Sequence, residues 1–328
     1  MSVPDYHSKY RDFPYHNKSL KIGMVGMTEG NGHPYSWSAI FNGYNPEEMK
    51  YNPFPSIYFY LEQQPESTFG IPGAKVTHVF CDKKNDAENI QRCSLVDHVV
   101  RQPEDMIGSV DAVIIATDIG SEHVDRCKPF IEAGVPLFID KPLVDHMNDL
   151  NTFYKWKKAE GRFISSSSMR YSKEIEPYYQ SAYELGNLRY IGAYSPQKWE
   201  TYGIHCLEAI YPILGPGFLS IQNTGTKERN FIHLIHQSGC DVNIVVSNDM
   251  YSAFGNIVLM GTSSAVTIHM KDHFYAFKKQ LQLFVHYLRT GVEPIPFNET
   301  IELMKLVIGG IQSRDEGGRR IMLDEMNI

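Results

Sequence analysis

The sequence predicts an α/β protein in two parts, a doubly wound parallel sheet followed by an α/β domain with an open, mainly antiparallel sheet. Three observations carry this. Residues 21–145 alternate continuously apolar segments with segments of helical spacing, the pattern of parallel strands covered on both faces. Beyond residue 187 apolar residues alternate with polar ones, as at Val242, Ile244 and Val246, then Val266, Ile268 and Met270. That period leaves one face buried and one wet, as antiparallel strands do. Finally, 328 residues, 42% hydrophobic and 21% charged, suffice for one large domain or two ordinary ones.

Each element has its own signal. "LKIGMVG" (20–26) is a short apolar strand ending in glycine, and "SWSAIFNGY" (36–44) a helix with Ser36 as N-cap and Gly43 near its end. Residues 45–73, rich in Tyr, Pro and Gln, read as a surface excursion without an assigned role. "AKVTHVFCD" (74–82) is a second strand, ending in Asp82, and "DAVIIAT" (111–117) a third. Val124, Cys127 and Ile131 recur at helical spacing before Gly134, a natural C-cap. "GVPLFIDKPL" (134–143) then gives a buried strand that ends in an acid, a base and a proline. Residues 1–145 therefore read as a Rossmann-type dinucleotide-binding domain and 146–328 as a second domain for substrate and oligomerisation. The second opens with a helix (Met147, Leu150, Tyr154, then Gly161), followed by "RFISSSSMRY" and the alternating strands. A long helix (Phe274, Phe277, Leu281, Phe284, Leu288) closes at Gly291, and "FNETIELMKLVIGGIQS" is a last helix with Asn298 as N-cap, expected to pack back on the first domain.

Composition narrows the function. The net charge of −7, without a basic block, argues against a nucleic-acid surface. No apolar run approaches the roughly 18 residues of a membrane span. The polar, aromatic N-terminus lacks the apolar core of a signal peptide, so a cytoplasmic location is expected. Five scattered cysteines without a CxxC pair indicate neither a zinc site nor a disulfide framework. His233 and His236 lie three apart on a strand and so face opposite sides, which argues against a metal site.

The loop "GMTEGNGHPYSW" after the first strand brings Gly26, Gly30 and Gly32, with Met27 and Thr28 between them. It serves either as a phosphate loop leading into a helix N-terminus or as a tight turn, since the spacing is not G-x-G-x-x-G. Asp82 ends the second strand, where this fold places an acid on the adenosine ribose, which favours NAD. Lys83 and Lys84 leave NADP open. Ligands of a doubly wound sheet lie beyond the carboxyl ends of its strands. "ATDIGSEH", with Thr117, Asp118 and His123, and Asp140, Lys141 and Pro142 occupy two such ends. A strand-end lysine there can hold an alkoxide, with the proline restricting it; the bland alternative is a structural Asp–Lys pair.

The chain resembles the glucose–fructose oxidoreductase / inositol dehydrogenase (Gfo/Idh/MocA) family. The resemblance spans nearly the whole chain and rests on "DAVIIATDIGSEHVDRCKPFIEAGVPLFIDKPL", then "SSSSMRY", "YGIHCLEAIYPILGPG" and "GGRRIMLDE". It implies that Lys141 sits in the substrate and nicotinamide site, that its bond to Pro142 is often cis, and that Arg170 of "SSSSMRY" joins the cofactor residues. The family's usual Glu-Lys-Pro is here Asp140-Lys141-Pro142, and Thr28 stands where a second loop glycine is common. The family's catalytic histidine matches His205, but the aspartate four residues earlier is Thr201. Glu208, three residues later on the same helical face, could supply that charge. Trp199 and Tyr202 either line the sugar site or pack in the core. The resemblance implies hydride transfer between NAD(P) and a secondary alcohol of a sugar, cyclitol or related polyol, in a crevice between the domains of a homodimer or homotetramer. His205 would take the hydroxyl proton and Lys141 hold the oxyanion. It also admits a glycosidase that oxidises its sugar transiently, and a non-catalytic dinucleotide sensor.

Overall fold

The computed structural model describes residues 18–328, so most of the N-terminal stretch read for targeting lies outside them. The first sheet is built from β1 (Leu20–Val25), β2 (Ala74–Phe80), β3 (His98–Val99), β4 (Ala112–Ile115), β5 (Leu137–Ile139) and β6 (Phe163–Ser165). Their order is β3-β2-β1-β4-β5-β6, all parallel. Between them run α1 (His33–Asn42), α2 (Pro46–Met49), α3 (Pro55–Glu62), α4 (Lys84–Cys93), α5 (His123–Glu132) and α6 (Met147–Lys158). On β4, Val113 and Ile115 join one core while Ala112 and Ile114 join another. A strand buried on both faces has no polar alternation to show, which is why these segments read as unbroken apolar runs. The chain reverses direction between β1 and β4, the switch point where such sheets bind ligands.

α6 and β6 complete this sheet, so it ends at Ser165 and not at the expected 145. Two helix starts also differ from expectation. α1 begins at His33 rather than after Ser36, because the Asn31 side chain accepts from the His33 amide (3.0 Å) and Pro34 sits in the first turn. The final helix begins at Phe297, so Asn298 lies inside its first turn and Pro296 precedes it. Gly43, Gly134 and Gly291 all adopt positive φ at helix ends, as expected.

The second sheet has the order β12-β11-β7-β10-β9-β8-β13. After the short α7 (Tyr178–Ser181) come β7 (Leu188–Pro196), α8 (Ile204–Leu214), β8 (Phe218–Asn223), β9 (Arg229–His236), β10 (Asp241–Ser247), β11 (Asn256–Gly261) and β12 (Ala265–His269). The helices α9 (His273–Thr290) and α10 (Phe297–Asp315) and the short strand β13 (Ile321–Met322) close the chain. Its pairs are antiparallel except β7 with β10. Val242, Leu234, Ile191 and Leu259 form one cross-strand row in the core, and Ile244, Ile232, Ala193 and Ile257 the next. The helix that packs back on the first domain is α9, whose Phe274, Leu281, Phe284 and Leu288 share a core with α1 and β1. α10, expected in that role, lies mainly on β8 and touches the first domain as well, with Phe297 edge-on to Phe163 of β6 (5.5 Å) and Met304 Sδ accepting from the Val144 amide (3.5 Å). Among the described residues no helix is long and apolar enough to cross a membrane.

Candidate active site

β5 is fully buried and delivers Asp140 and Lys141 to the switch-point side of the sheet, with the Lys141–Pro142 bond cis. Lys141 is only 3% exposed. Its Nζ lies 3.2 Å from Asp118 Oδ2 and 3.8 Å from Asp140 Oδ2, and 5.5 Å from the centre of the Tyr202 ring. Burial opposes the ammonium charge, but Asp140 and then Asp118 outweigh it and hold the pKa above the ordinary lysine value. Asp140 is equally tied down. Its Oδ1 accepts from the Lys141 amide (2.7 Å), and its Oδ2 accepts from the Asn31 amide group (3.1 Å) and faces His33 Nδ1 at 2.6 Å. Burial alone would raise its pKa; the charges of His33 and Lys141 bring it down to about 2. The acid and base at this strand end are therefore a charge cluster that fixes one amine in place.

His205 stands in the first turn of α8, which follows a π-helical turn over Trp199–Gly203. Its Nδ1 is 2.6 Å from Ser167 Oγ, and its ring meets those of Tyr202 and Phe254 edge-on, each at 5.0 Å. Burial, and then the charge of Lys141, push its pKa well below the ordinary histidine value. Lys141 and His205 line one cavity of about 370 Å³ between the domains, together with Tyr202, His33 and His273. The resemblance-based pair is thus brought together.

Three expected site residues are not placed as expected. Glu208 does not serve His205: its Oε1 accepts from the Ser167 amide (3.1 Å) and its Oε2 binds Arg170. Arg170 does not line the cavity; it is buried between Glu208 and Glu299 (3.0 Å). Burial opposes its charge, but the Glu208 carboxylate more than offsets this and raises its pKa. Trp199 is fully buried, donates to the Val307 carbonyl (2.9 Å) and does not line the cavity. Thr201 leaves His205 without a carboxylate four residues earlier, and Ser167 is the ring's partner instead.

The cofactor side shows which residues could hold NAD. Gly26 has φ +84°, and a Cβ there would meet Thr117 Cγ2 at 2.6 Å, so its lack of a side chain lets the β1 and β4 loops touch. Thr28 Oγ1 accepts from the Asp118 amide (3.2 Å), which closes the same junction. Gly30, φ +85°, has open space where a Cβ would stand. The Thr117 hydroxyl is buried with no protein partner. His123 supports the crevice from below, its ring nitrogens each 2.9 Å from the carbonyls of Thr117 and Leu143. Asp82 is exposed beside a cavity of about 720 Å³ at the ends of β2 and β3, with Arg126 on its carboxylate (2.7 and 3.3 Å). An open loop, an unpartnered hydroxyl and a strand-end acid beside a cavity fit a dinucleotide.

Sequence reasoning missed His33, Asn31 and the pocket wall of Phe54, Ile57 and Tyr60. The first two stand in the glycine-loop segment, where a histidine between glycine and proline at a helix start was the available signal. The wall belongs to the 45–73 excursion and had none.

Residues 58–167, about a third of the chain, match the model of the GFO_IDH_MocA family, described as an oxidoreductase family with an NAD-binding Rossmann fold. The match covers Asp82, Asp118 and Lys141 but begins after the glycine loop. No curated protein matches. Solved structures do. The myo-inositol 2-dehydrogenase of Lactobacillus plantarum has 16% identity and a TM-score of 0.70, over 93% of this chain and 99% of its own. A scyllo-inositol dehydrogenase of Lactobacillus casei, solved with NAD(H) and scyllo-inositol, has 14% identity and a TM-score of 0.70, over 94% and 100%. A probable dehydrogenase of Thermotoga maritima has 15% identity and a TM-score of 0.71, over 94% and 100%. These likenesses cover both domains and establish the fold. The resemblance read in the sequence is borne out where the family model matches, over residues 58–167, and the N-terminal domain has the NAD-binding Rossmann fold.

Proposed function

We propose that the chain is an NAD-dependent dehydrogenase or reductase that transfers hydride to or from a secondary alcohol of a sugar, cyclitol or related polyol. The observation that carries this is the meeting of Lys141 and His205 in one cavity between the domains. The family match and the inositol dehydrogenases of the same fold support it.

The glycine loop, Thr117 and Asp82 would hold NAD, which would supply the hydride acceptor or donor. The residues do the rest. Lys141 is a fixed cation, buried and braced by Asp118 and Asp140, and it stabilises the oxygen as negative charge develops. Donation from His205 Nδ1 to Ser167 Oγ leaves Nε2 to accept the hydroxyl proton. A histidine whose pKa is depressed is neutral at pH 7 and ready for this. Tyr202 sets its ring beside both groups. The test is a substrate screen that follows NADH absorbance with polyols, sugars and nucleotide sugars in parallel. Oxidation confined to secondary alcohols supports the proposal; tight NAD binding with no turnover across the screen refutes it.

We also propose a homo-oligomer formed through the outer face of the second sheet. There the cross-strand row Val245, Phe231 and Tyr194 carries apolar and aromatic side chains, and in a second row Ile235, Tyr190 and Met260 are interrupted only by Asp241.

A further inference from the structure

Phe54, Ile57 and Tyr60 form a wall of the pocket that the proton and hydride transfers do not use. They come from α3 and the residue before it. The wall is docked in place: a Cβ on Gly32 would collide with both Ile57 and Phe54. Phe277 of α9 continues it, with its ring 5.2 Å from His33 and 6.5 Å from Tyr60. Lys141 and His205 meet Tyr202 on another side of the pocket, while His33, Ser36 and Ser56 border the wall. Ser36, next to the wall, turns its hydroxyl to the His33 carbonyl (3.4 Å). The Tyr60 hydroxyl is buried beside Ser36, so Tyr60 offers the pocket its ring.

Charge adds a second constraint. Among the described residues no Asp, Glu or Arg lines this pocket. Its one fixed charge, Lys141, is already countered by Asp118 and Asp140. A substrate ammonium would find no carboxylate there, and a phosphate no free cation. A molecule with hydroxyls on every side would leave some of them unpaired against Phe54, Ile57 and Phe277, at a desolvation cost.

We propose that the substrate is an uncharged sugar derivative that places its reacting hydroxyl at Lys141 and His205 and an apolar substituent, such as the aglycone of a glycoside, against Phe54, Ile57 and Phe277. This rests on the function proposed above and names the class of alcohol for the same site.

The experiment measures binding to the NAD-loaded protein by calorimetry, with phenyl and methyl glycosides of glucose, galactose and mannose, and turnover in parallel. For the sugar that binds best, the phenyl glycoside should bind roughly tenfold or more tightly than the methyl glycoside. Glucose 6-phosphate and glucosamine should bind more weakly than either. Phe54→Ala should bring the phenyl-to-methyl ratio close to one while the affinity for NAD holds. Equal binding of phenyl and methyl glycosides in all three sugars overturns the inference. So does a Phe54→Ala variant that loses NAD as much as it loses the phenyl glycoside, since the wall would then serve the cofactor alone. The two readings fail separately. Phenyl preference without any hydride transfer removes the dehydrogenase assignment and keeps the pocket, whereas oxidation of small polyols without phenyl preference does the reverse.

Discussion

Glu208 lies one turn beyond His205 on α8, yet its carboxylate closes on Arg170 and on the Ser167 amide instead of on the imidazole. The acid therefore acts on the histidine at one remove, by fixing the serine whose hydroxyl is 2.6 Å from Nδ1. Glu208→Gln still offers Ser167 an acceptor but leaves the buried Arg170 with Glu299 as its only carboxylate. Removing one partner of a buried pair costs about 3 kcal/mol. Urea unfolding should show a loss of that size, with little movement of the acidic limb of the pH–rate profile. A limb that shifts to lower pH would mean that Glu208 charges His205 directly.

Lys141→Met removes the fixed charge at the reacting oxygen. The expected result is unchanged NAD affinity and a kcat lower by roughly a hundredfold or more, the scale of one lost transition-state contact. His205→Ala should cost a similar order, typical of general-base loss. Because the two groups line one pocket and act on one oxygen, the double variant should fall well short of the product of the single losses. Near-normal turnover in either single variant refutes the shared role.

The pH dependence follows from the direction of the His205 shift. Its pKa in the folded protein lies well below 6.5, so the ring is neutral through pH 7 and protonates only in more acidic solution. The acidic limb for alcohol oxidation should therefore fall clearly below 6.5. Lys141 is one cause of the shift, after burial, so Lys141→Met should move the limb upward in pH as the imidazolium loses its neighbouring cation. Stability follows the same sign. Below 6.5 the unfolded chain binds a proton that the folded chain excludes, so His205 reduces stability progressively as pH drops through that value.

What was legible in the sequence is what periodicity and chain order encode. Continuous apolar runs gave the parallel strands, and a doubly wound sheet binds at its carboxyl ends, so Asp82, Asp118 and Lys141 were readable from β2, β4 and β5. Side-chain partners drawn from separate elements were not. Arg170, Glu208 and Glu299 are spread over 129 residues, and nothing local marks them as a cluster. His33 and Asp140 meet across 107 residues. For Trp199 the sequence leaves sugar lining and core packing both open, and the structure takes the second, with α10 covering it through Val307. The 45–73 segment carries no periodicity long enough to read, because its helices are short and its inward residues, Phe54, Ile57 and Tyr60, answer to α1 and α9.

The proposed oligomer can be checked by light scattering. Phe231 and Met260 are both about half exposed on the outer face of the second sheet. A dimer or tetramer should be present at micromolar protein, and Phe231→Glu with Met260→Lys should dissociate it without changing NAD affinity. A wild-type monomer at that concentration contradicts the assignment.

The last prediction concerns the choice between NAD and NADP. Asp82 ends β2 where a carboxylate accepts from the adenosine ribose and repels a 2′-phosphate. Lys83 and Lys84 follow it, but Lys84 is exposed and paired with Glu88 four residues on. A cation nearby is Arg126, which holds both Asp82 oxygens from α5 and is braced by Glu122, the residue just before that helix (2.9 Å). Asp82 thus keeps an arginine occupied that would otherwise suit a phosphate, since a guanidinium matches phosphate oxygens in pairs. Wild-type protein should bind NAD more tightly than NADP by calorimetry. Asp82→Ser should weaken NAD moderately and strengthen NADP, because it removes a repelling charge and frees Arg126 together. Adding Arg126→Ala to Asp82→Ser should take back most of the NADP gain. If NADP binds the wild type more tightly, or if the gain survives without Arg126, the selector is not this pair.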